Sequence, residues 1–339
     1  PDMDGTPGVD LIFPDISWLE ERKDRLEAVF VTHAHEDHVG AVAHYYDRLG
    51  APIYARAFTA NIARRKMDDR GHPERAVITA RPWPEVVEVG PFKVGFVPIS
   101  HSIPESSGLV IATPAGRVVH SGDFKIDPNP VVGEAFDEAV WSGLADPGVL
   151  ALMCDSTNVF NDYPGRSEGT LGPEKGRFVA TTFAANVARV KTLAEAADRA
   201  GRSVCLMGRA MRRMIEASVE TGVLTGFPKT VTIEDARSIP RENLALIVTG
   251  SQGERRAASA QLANGKYNGM ELKSGDLFLF SSKTIPGNER GVNRIINLLS
   301  EKGVDVVDDS TGRYNVSGPA NRTELRTLHQ MVRPKIVEP

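Results

Sequence analysis

The chain has 339 residues, of which 41% are hydrophobic and 25% charged, and its net charge at pH 7 is −4. This composition is typical of a globular protein long enough for two domains with their own cores. The slightly acidic balance excludes a protein that coats nucleic acid through a global basic field, but it is compatible with a local basic groove.

The two cysteines are too few for a disulfide framework and favour a reducing compartment, so we expect a cytoplasmic protein. We expect no membrane segment, because no apolar run is long enough to span a bilayer. The chain begins at Pro1 without a methionine and stops just after an apolar stretch. We therefore expect a fragment, or the ordered part, of a longer protein.

The first half of the chain alternates short apolar runs with turns, which predicts many short strands. We expect a loop over 1–14, helices over 16–25 and 40–49, and strands over 26–31, 52–55, 75–79, 86–89, 93–99, 108–113, 117–120 and 148–153. The strands 108–113 and 117–120 are joined by Pro114-Ala115-Gly116, which is typical of a hairpin.

A histidine-rich cluster, His33-Ala34-His35-Glu36-Asp37-His38, follows the apolar run 26–31 almost directly. That run predicts a buried strand, so the cluster lies on a strand-to-helix loop. His33 and His35 alternate by two and can face the same way on an extended backbone. Neutral imidazoles and a carboxylate at this density favour a divalent ion, zinc before others. The alternative, a polar turn that is rich in histidine, is weaker because the chain has only eight histidines.

Three later predicted strands are also followed by residues that can bind a metal or move a proton. These residues are His101, Asp123 and Asp155. Ligands gathered from several strand ends form a site in a crevice at one edge of a sheet, which is the usual place for a site in α/β architecture. Taken alone, His101 would more often be an ordinary surface or core histidine.

Residues 159–176 are polar and contain several glycines and prolines, which indicates a domain boundary. After it, strands and helices alternate, and this alternation predicts a mostly parallel sheet with helices on both faces. We expect strands over 177–183, 203–207, 244–249, 276–281 and 304–307, and helices over 186–200, 211–221 and 291–300.

Several motifs in combination resemble a known family. The pattern His33-x-His35-x-Asp37-His38, with His101 and Asp123 downstream, is similar to the metallo-β-lactamase superfamily. Other motifs resemble its β-CASP branch and, within that branch, the ribonuclease J family: Asp155-Ser156-Thr157-Asn158, Thr182-Phe183-Ala184-Ala185-Asn186-Val187, Gly208-Arg209-Ala210-Met211, Thr249-Gly250-Ser251-Gln252-Gly253-Glu254 and Pro286-Gly287-Asn288.

The resemblance implies an α/β fold, namely a metallo-β-lactamase αββα sandwich with an inserted β-CASP α/β domain. It implies that 1–176 is the first part of the metallo-β-lactamase domain, that 177–310 is the β-CASP domain, and that 311–339 returns to the first. It also implies that N-terminal strands and a C-terminal part are missing. The implied partners are RNA, further copies in a homodimer or homotetramer of the full-length protein, and an RNA-decay complex.

The resemblance also implies a site with two zinc ions, or manganese in their place. The implied ligands are His33, His35 and His101 for one ion, Asp37 and His38 for the other, and Asp123 as the bridge. A hydroxide activated by two zinc ions would hydrolyse RNA phosphodiester bonds, by endonuclease and 5′–3′ exonuclease activity, in RNA processing and decay. Asp155 matches the acid–base aspartate of the family.

On the substrate side, the chain departs from the family pattern. Ala185-Asn186-Val187 lies in the phosphate-contacting motif, where Ala185 replaces a serine. Asn315-Val316-Ser317-Gly318-Pro319 replaces His-x-Ser-Gly-His, so that Pro319 stands at the position of the catalytic histidine. A proline side chain cannot donate or accept a proton, and general acid–base help is worth roughly 10²–10⁴-fold in rate. We therefore expect slow cleavage, or a different anchoring of the 5′ phosphate, with the metal cluster intact.

Two other functions stay open. The first is a catalytically impaired RNA-binding or assembly subunit of the same fold, which Pro319 favours and the complete set of six ligands disfavours. The second is a metallohydrolase of a small ester or thioester, which the second α/β segment with its turn at 249–254 disfavours.

Overall fold

The computed structural model describes residues 11–157, 159, 176–308 and 320–338. These residues divide into two compact units. The first unit contains the described residues up to 159, together with Glu220–Val223 and 320–338. The second unit contains 176–219 and 224–308.

Both units contain helices of 4 to 13 residues. Among the described residues the helices are α1 (Ser17–Glu20), α2 (Glu36–Val39), α3 (Val42–Leu49), α4 (Ala57–Asp68), α5 (Glu138–Gly143), α6 (Val187–Arg199), α7 (Arg209–Glu220), α8 (Ile233–Ala236), α9 (Ala258–Asn264), α10 (Glu289–Glu301) and α11 (Arg322–Val332). None of these described helices combines the length and the apolar character that a bilayer span requires.

The strands are short, as the sequence predicts. In the described residues they are β1 (Val29–Val31), β2 (Ile53–Ala55), β3 (Val77–Thr79), β4 (Val86–Val89), β5 (Phe92–Pro98), β6 (Ser107–Thr113), β7 (Gly116–His120), β8 (Val149–Met153), β9 (Phe178–Thr181), β10 (Ser203–Met207), β11 (Leu244–Val248), β12 (Lys266–Tyr267), β13 (Met270–Glu271), β14 (Leu277–Phe280), β15 (Asp305–Val307) and β16 (Pro334–Glu338).

The first unit contains two sheets. The smaller sheet is parallel, with strand order β1-β2-β3. The larger sheet has strand order β16-β8-β7-β6-β5-β4, in which β6 is antiparallel to both β5 and β7, and β8 is parallel to β7. The antiparallel pair β6 and β7 confirms the predicted hairpin. Because β5, β7 and β8 run in the same direction, their carboxyl ends lie at the same edge of the larger sheet.

Apolar side chains join the two sheets face to face. Phe30 of β1 and Tyr54 of β2 pack against the cluster that contains Phe96 of β5 and Leu109 of β6. The ring centroids of Phe30 and Phe96 are 5.9 Å apart. Since side chains alternate along a strand, β5 also buries its other face.

Helices cover the outer faces of this pair of sheets. Val97 of β5 belongs to a core that includes Trp141 of α5 and Leu328 of α11. On the smaller sheet, α4 contacts β2 and β3 and fully buries Phe58 and Met67. The layers therefore run helix, sheet, sheet, helix, and the predicted αββα architecture is confirmed.

The second unit is built around a five-stranded sheet with order β10-β11-β9-β14-β15, and every pair of neighbouring strands in it is parallel. Val179, Leu246 and Phe278 from three of these strands share a core with apolar side chains of α9 and α10. The predicted parallel sheet of the second half is confirmed, and β10 begins and ends where the sequence predicts.

Several predicted elements in the first unit differ from the structure, and the strand expected over 26–31 covers only Val29–Val31. The helix expected over 16–25 stops after the four residues of α1, and a 3₁₀ turn, Lys23–Arg25, follows. Residues 20–25 are all charged, so the segment has no apolar face to pack, and packing provides most of the stability of a short helix. The strand expected over 75–79 begins only at Val77, because Ala76 N–H bonds back to the Pro73 carbonyl in a 3₁₀ turn.

Candidate metal centre

The histidine-rich cluster lies where β1 ends and α2 begins, as the sequence predicts. His33 follows β1 and its side chain is fully buried. The hydroxyl of Thr32 lies 3.0 Å from His33 Nδ1, so this contact orients the ring and leaves Nε2 for another partner. His35 has extended backbone angles and is the N-cap of α2.

Four side chains form a first group of potential ligands. They are His33, His35, His101 and Asp123, and one donor atom from each lies within 4.8 Å of the others. Nε2 of His101 lies 3.1 Å from Nδ1 of His35. Oδ2 of Asp123 lies 3.8 Å from His33 Nε2 and 3.9 Å from His101 Nε2. Three imidazoles and one carboxylate are typical donors for zinc and related divalent ions.

A second, more exposed group shares one member with the first. It contains Asp37, His38 and Asp123, again with donor atoms within 4.8 Å of one another. Nε2 of His38 lies 3.4 Å from Asp37 Oδ2 and 3.5 Å from Asp123 Oδ2. The structure thus brings all six sequence-predicted metal residues together, with Asp123 common to both groups.

The strands that carry these residues come from two sheets, which corrects the expectation of a crevice at one edge of one sheet. His101 and Asp123 follow β5 and β7 of the larger sheet, whereas His33 and His35 follow β1 of the smaller one. The site therefore lies where strand ends of the two facing sheets meet. Ser107 N–H, at the start of β6, donates to the Thr32 carbonyl at 3.1 Å and links the two sheets at this point.

Buried polar atoms test whether these residues fit a metal ion. Among the described residues, His33 Nε2 and His101 Nδ1 are buried and lack a hydrogen-bond partner. An unpaired buried polar atom is unusual in a native protein and indicates that another group supplies its partner. The position of His33 Nε2 inside the four-donor group suits a bound divalent ion, so the residues fit a metal site.

The histidines of the first group are held in the neutral form that metal binding requires. Burial lowers the pKa of His33 far below its usual range, and the neighbouring His35 adds to this effect. Burial also lowers the pKa of His35 to about 4, and it lowers the pKa of His101 well below the usual value.

The second group has the opposite electrostatic character. Burial disfavours protonation of His38, but the carboxylates of Asp123 and Asp37 outweigh burial and raise the pKa of His38 to about 9. In return, the hydrogen bond with His38 holds the pKa of Asp37 below its usual range. Two carboxylates around one imidazole therefore make this group a region of negative charge that attracts a cation.

A tight turn after β7 places Asp123. Gly122 has φ +61, a left-handed conformation that favours glycine, and its N–H donates to His120 Nδ1 at 2.9 Å. A Cβ at Gly122 would lie 2.8 Å from the Ser107 carbonyl oxygen. Sequence reasoning missed the part that His120 and Gly122 play in this turn, although both lie within three residues of Asp123.

Asp155, the predicted acid–base residue, follows β8 at the same edge of the larger sheet. Its N–H donates to Ser121 Oγ at 3.1 Å, which ties it to the turn that carries Asp123. Oδ1 of Asp155 accepts hydrogen bonds from the backbone and the hydroxyl of Thr157. Its Oδ2 is buried and has no hydrogen-bond partner within the described part of the chain. Hydrogen bonds thus fix Oδ1 of this carboxylate, whereas Oδ2 is available to another partner.

The predicted substrate-side residues lie in the second unit or outside the described residues. Asn186 caps α6, where its side chain accepts a hydrogen bond from the Arg189 N–H at 3.0 Å. Ala185 is half-buried, and Val187 is fully buried. The predicted stretch Asn315, Val316, Ser317, Gly318 and Pro319 lies outside the described residues, as does Asn158.

Comparison with protein families identifies two adjacent matches. A model of the β-lactamase superfamily domain matches residues 7–175. A model of the β-CASP domain of ribonuclease J matches residues 175–299.

Individual relatives are similar over nearly the whole chain. Ribonuclease J of Sinorhizobium meliloti is 40% identical over 98% of this chain and 60% of its own length. Ribonuclease J of Mycolicibacterium smegmatis is 38% identical over 98% of this chain and 61% of its own length. The chain therefore spans about 60% of the length of these curated relatives.

A solved structure, described as a protein of unknown function from Enterococcus faecalis V583, has the same fold, with a TM-score of 0.59. It is 17% identical and the similarity covers 91% of this chain and 74% of that one, so it bears on the fold alone. The two domain models and the relatives, together with the αββα layers and the parallel second sheet, agree with one another. The chain belongs to the ribonuclease J family, in the β-CASP branch of the metallo-β-lactamase superfamily.

Proposed function

We propose that this chain carries the metal centre of a ribonuclease that hydrolyses RNA phosphodiester bonds, by endonuclease and 5′–3′ exonuclease activity, in RNA processing and decay. The observation that carries the proposal is the pair of donor groups that meet at Asp123. Relatives named ribonuclease J over 98% of the chain support RNA as the substrate.

Two divalent ions fit the proposal, with zinc as the first choice and manganese as the alternative. The three imidazoles of the first group favour zinc, whereas the carboxylates of the second group also suit manganese. We assign His33, His35 and His101 to one ion, Asp37 and His38 to the other, and Asp123 to both. When bound, such ions stabilise the charge that develops on a phosphodiester and make water nucleophilic at neutral pH.

Asp155 is the residue that we assign to proton transfer. Its uncommitted Oδ2 can hold a proton, while the bonds from Thr157 to Oδ1 keep the carboxylate in one orientation. The bond to Ser121 holds Asp155 beside the turn that carries Asp123. Together these contacts support a general acid–base group close to the metal ligands.

The setting of the activity is proposed on the same basis. We assign residues 1–176 and 311–339 to the metallo-β-lactamase domain and 177–310 to the inserted β-CASP domain. Within the latter, Ala185, Asn186 and Val187 belong to the RNA-contacting segment. The cytoplasm, a homodimer or homotetramer of the full-length protein, and an RNA-decay complex are the proposed surroundings.

A second candidate function is a catalytically impaired RNA-binding or assembly subunit. The observation that favours it is Pro319 at the position of the family's catalytic histidine, with Asn315 in place of another histidine. Proline offers no side-chain proton, so this substitution would remove acid–base help worth roughly 10²–10⁴-fold in rate.

Cleavage of a 5′-monophosphorylated RNA, with zinc or manganese added, tests both functions. We expect the purified protein to cleave slowly and the Pro319→His variant to cleave about 10²-fold faster or more. Fast cleavage by the wild type with no change in the variant would show that another group transfers the proton. Bound zinc and RNA with no cleavage by either protein would favour the binding subunit, and absence of bound metal would contradict the proposed centre.

A further inference from the structure

A buried arginine in the first unit bridges two carboxylates. Arg56 follows β2, is the N-cap residue of α4 and is 5% exposed. Its two terminal nitrogens pair with the two oxygens of Glu134, Nη2 at 3.0 Å from Oε1. The same Nη2 lies 3.5 Å from Oε1 of Glu105. A buried guanidinium is stable only when carboxylates surround it in this way, and its planar fork can serve two of them at once.

Glu105 belongs to the loop of residues 100–106 between β5 and β6, which we call the His101 loop. Its backbone has φ +54, a left-handed conformation that a residue with a side chain rarely adopts. Such a conformation persists only where the surrounding structure holds it. Glu105 Oε2 accepts the N–H of Phe58 in the first turn of α4 at 2.5 Å. The arginine and the helix therefore hold the strained end of the His101 loop.

Glu134 reaches the other end of the same loop. Its carbonyl oxygen accepts the hydroxyl of Ser100 at 3.3 Å, and that hydroxyl also lies 2.9 Å from the Asp127 carbonyl. Ser100 directly precedes His101 in the chain. Arg56 is thus bonded, through Glu105 and Glu134, to the segments on both sides of His101.

The position of the His101 ring depends on this loop. His101 is 6% exposed, and its Nε2 lies close to His35 and Asp123 in the first donor group. We propose that Arg56 is a positioning residue, which bridges Glu105 and Glu134 and so holds the His101 loop with its imidazole at the first metal group. The inference rests on the proposed metal centre.

Zinc affinity, measured by competition with a fluorescent chelator, separates positioning from simple stabilisation of the fold. Loss of a group that orients a metal ligand typically weakens metal binding by roughly 10–100-fold. We expect this loss at the first donor group for Arg56→Met, and a similar loss for Arg56→Lys, because a lysine ammonium cannot bridge two carboxylates in a planar fork. Circular dichroism verifies that each variant is folded.

Two further variants serve as a control and as a milder probe. Arg48→Met removes another ion pair with two hydrogen bonds, in which Arg48 of α3 pairs with Glu20 of α1. We expect it to leave zinc affinity unchanged. Should Arg56→Met fail to fold, Glu134→Gln provides the test, because the Glu134 side chain is 40% exposed and Arg56 keeps its contact with Glu105. We expect a loss in the same direction.

A double-mutant cycle with His101→Ala identifies the route of the effect. If Arg56 acts through His101, Arg56→Met weakens zinc binding in the wild-type background and has little further effect once His101 is removed. Equal losses in both backgrounds, or wild-type affinity in a folded Arg56→Met protein, would overturn the inference and leave the metal centre intact. A wild-type protein that binds no divalent ion would overturn both.

Discussion

The polar residues at the strand ends of the two units differ in whether their hydrogen-bonding atoms are satisfied. In the first unit, His33 Nε2, His101 Nδ1 and Asp155 Oδ2 are buried and lack partners within the described residues. All three residues follow strands of the two facing sheets. Other contacts orient these side chains, such as the one between Thr32 and His33, but one polar atom of each side chain has no hydrogen-bond partner.

The second unit satisfies comparable groups internally. The hydroxyl of Thr181 donates to the Val248 carbonyl at 3.1 Å, and that of Thr182 donates to the Ser281 carbonyl, also at 3.1 Å. These bonds join the ends of neighbouring parallel strands. The hydroxyl of Ser282 and the Nε of Arg177, which directly precedes β9, are exceptions, since both atoms are buried without a partner in the described part of the chain.

The unpaired atoms indicate which strand ends require an external ligand. Leaving a buried polar atom unpaired costs about 1–3 kcal/mol, so several such atoms in one place persist only if something binds to them. In the first unit these atoms belong to or adjoin the donor groups around Asp123, which suits a divalent metal. In the second unit the polar side chains of Thr181 and Thr182 join neighbouring strands of the sheet.

Removal of the shared carboxylate should have the largest effect on metal binding and cleavage. Asp123 Oδ2 lies within 3.9 Å of three histidines, so Asp123→Asn should lose bound metal from both groups. Metal ions stabilise a phosphoryl-transfer transition state by several kcal/mol, which corresponds to a loss of about 10³-fold in cleavage rate. Elemental analysis and single-turnover cleavage measure the two effects.

The matched control is Asp146→Asn, which changes an exposed carboxylate paired with Arg333. It should keep both the metal content and the rate. Retention of two ions by Asp123→Asn would mean that the carboxylate is not shared, and the grouping around it would then be wrong.

Strand ends could be predicted from the sequence more reliably than the sheets that contain them. The positions of His33, His101 and Asp123 after apolar runs led to the expectation that their side chains converge, and the structure brings them together; their role as ligands stays a prediction. That β1 lies in a different sheet from β5 and β7 could not be predicted. Sheet membership depends on hydrogen bonds between residues distant in sequence, whereas alternation describes one strand alone.

Three local features show how far the sequence predicts a single element or turn. β10 was predicted to the residue, because a short apolar run is bounded by Gly201 and Gly208. Helix α4 was missed although Phe58 and Ile62 are four residues apart and buried on one face, a signal that was available in the sequence. The hydrogen bond from Gly122 to His120 was beyond prediction, since it depends on the backbone conformation of the turn.

The next largest effect should come from the turn that carries Asp123. Gly122→Ala places a Cβ in a left-handed residue and 2.8 Å from the Ser107 carbonyl, so we expect a loss of about 3 kcal/mol in the free energy of unfolding. Zinc affinity should fall as well, because the clash moves Asp123. Urea denaturation of the metal-free protein and chelator competition measure these effects.

Gly50→Ala is the control for backbone strain alone. Gly50 has φ +65, and a Cβ there would meet no atom of the described chain within 4 Å. We expect a cost of roughly 1–2 kcal/mol from the left-handed conformation and no change in zinc affinity. An equal effect of both substitutions on zinc binding would contradict the special role of the Gly122 turn.

The reactivity of Cys205 tests whether the core of the second unit is shielded from solvent. Burial raises the pKa of Cys205, in the middle of β10, to about 11 from a usual value of 9.0. At pH 8 its thiolate fraction is then about 100-fold below that of an ordinary thiol, since each pKa unit changes the fraction tenfold. In a Cys154→Ala variant, which isolates Cys205, a thiol reagent should react at least about 100-fold more slowly than with the unfolded chain. Equal rates in the native and unfolded protein would show that β10 is open to solvent.

The smallest expected effect concerns Asn186. In the structure its side chain caps α6, whereas the family resemblance implies that it contacts RNA. Its side-chain oxygen caps α6 through the Arg189 N–H, so Asn186→Ala should lower the free energy of unfolding by about 1 kcal/mol and leave the metal content unchanged. Asn186→Asp keeps the capping oxygen but replaces the amide with a negative charge that repels phosphate. If Asn186 also contacts RNA, the aspartate variant should retain stability and lose RNA affinity, measured by fluorescence anisotropy. If both variants bind RNA as the wild type does, Asn186 serves only the helix, and the phosphate contact must come from other residues of the chain.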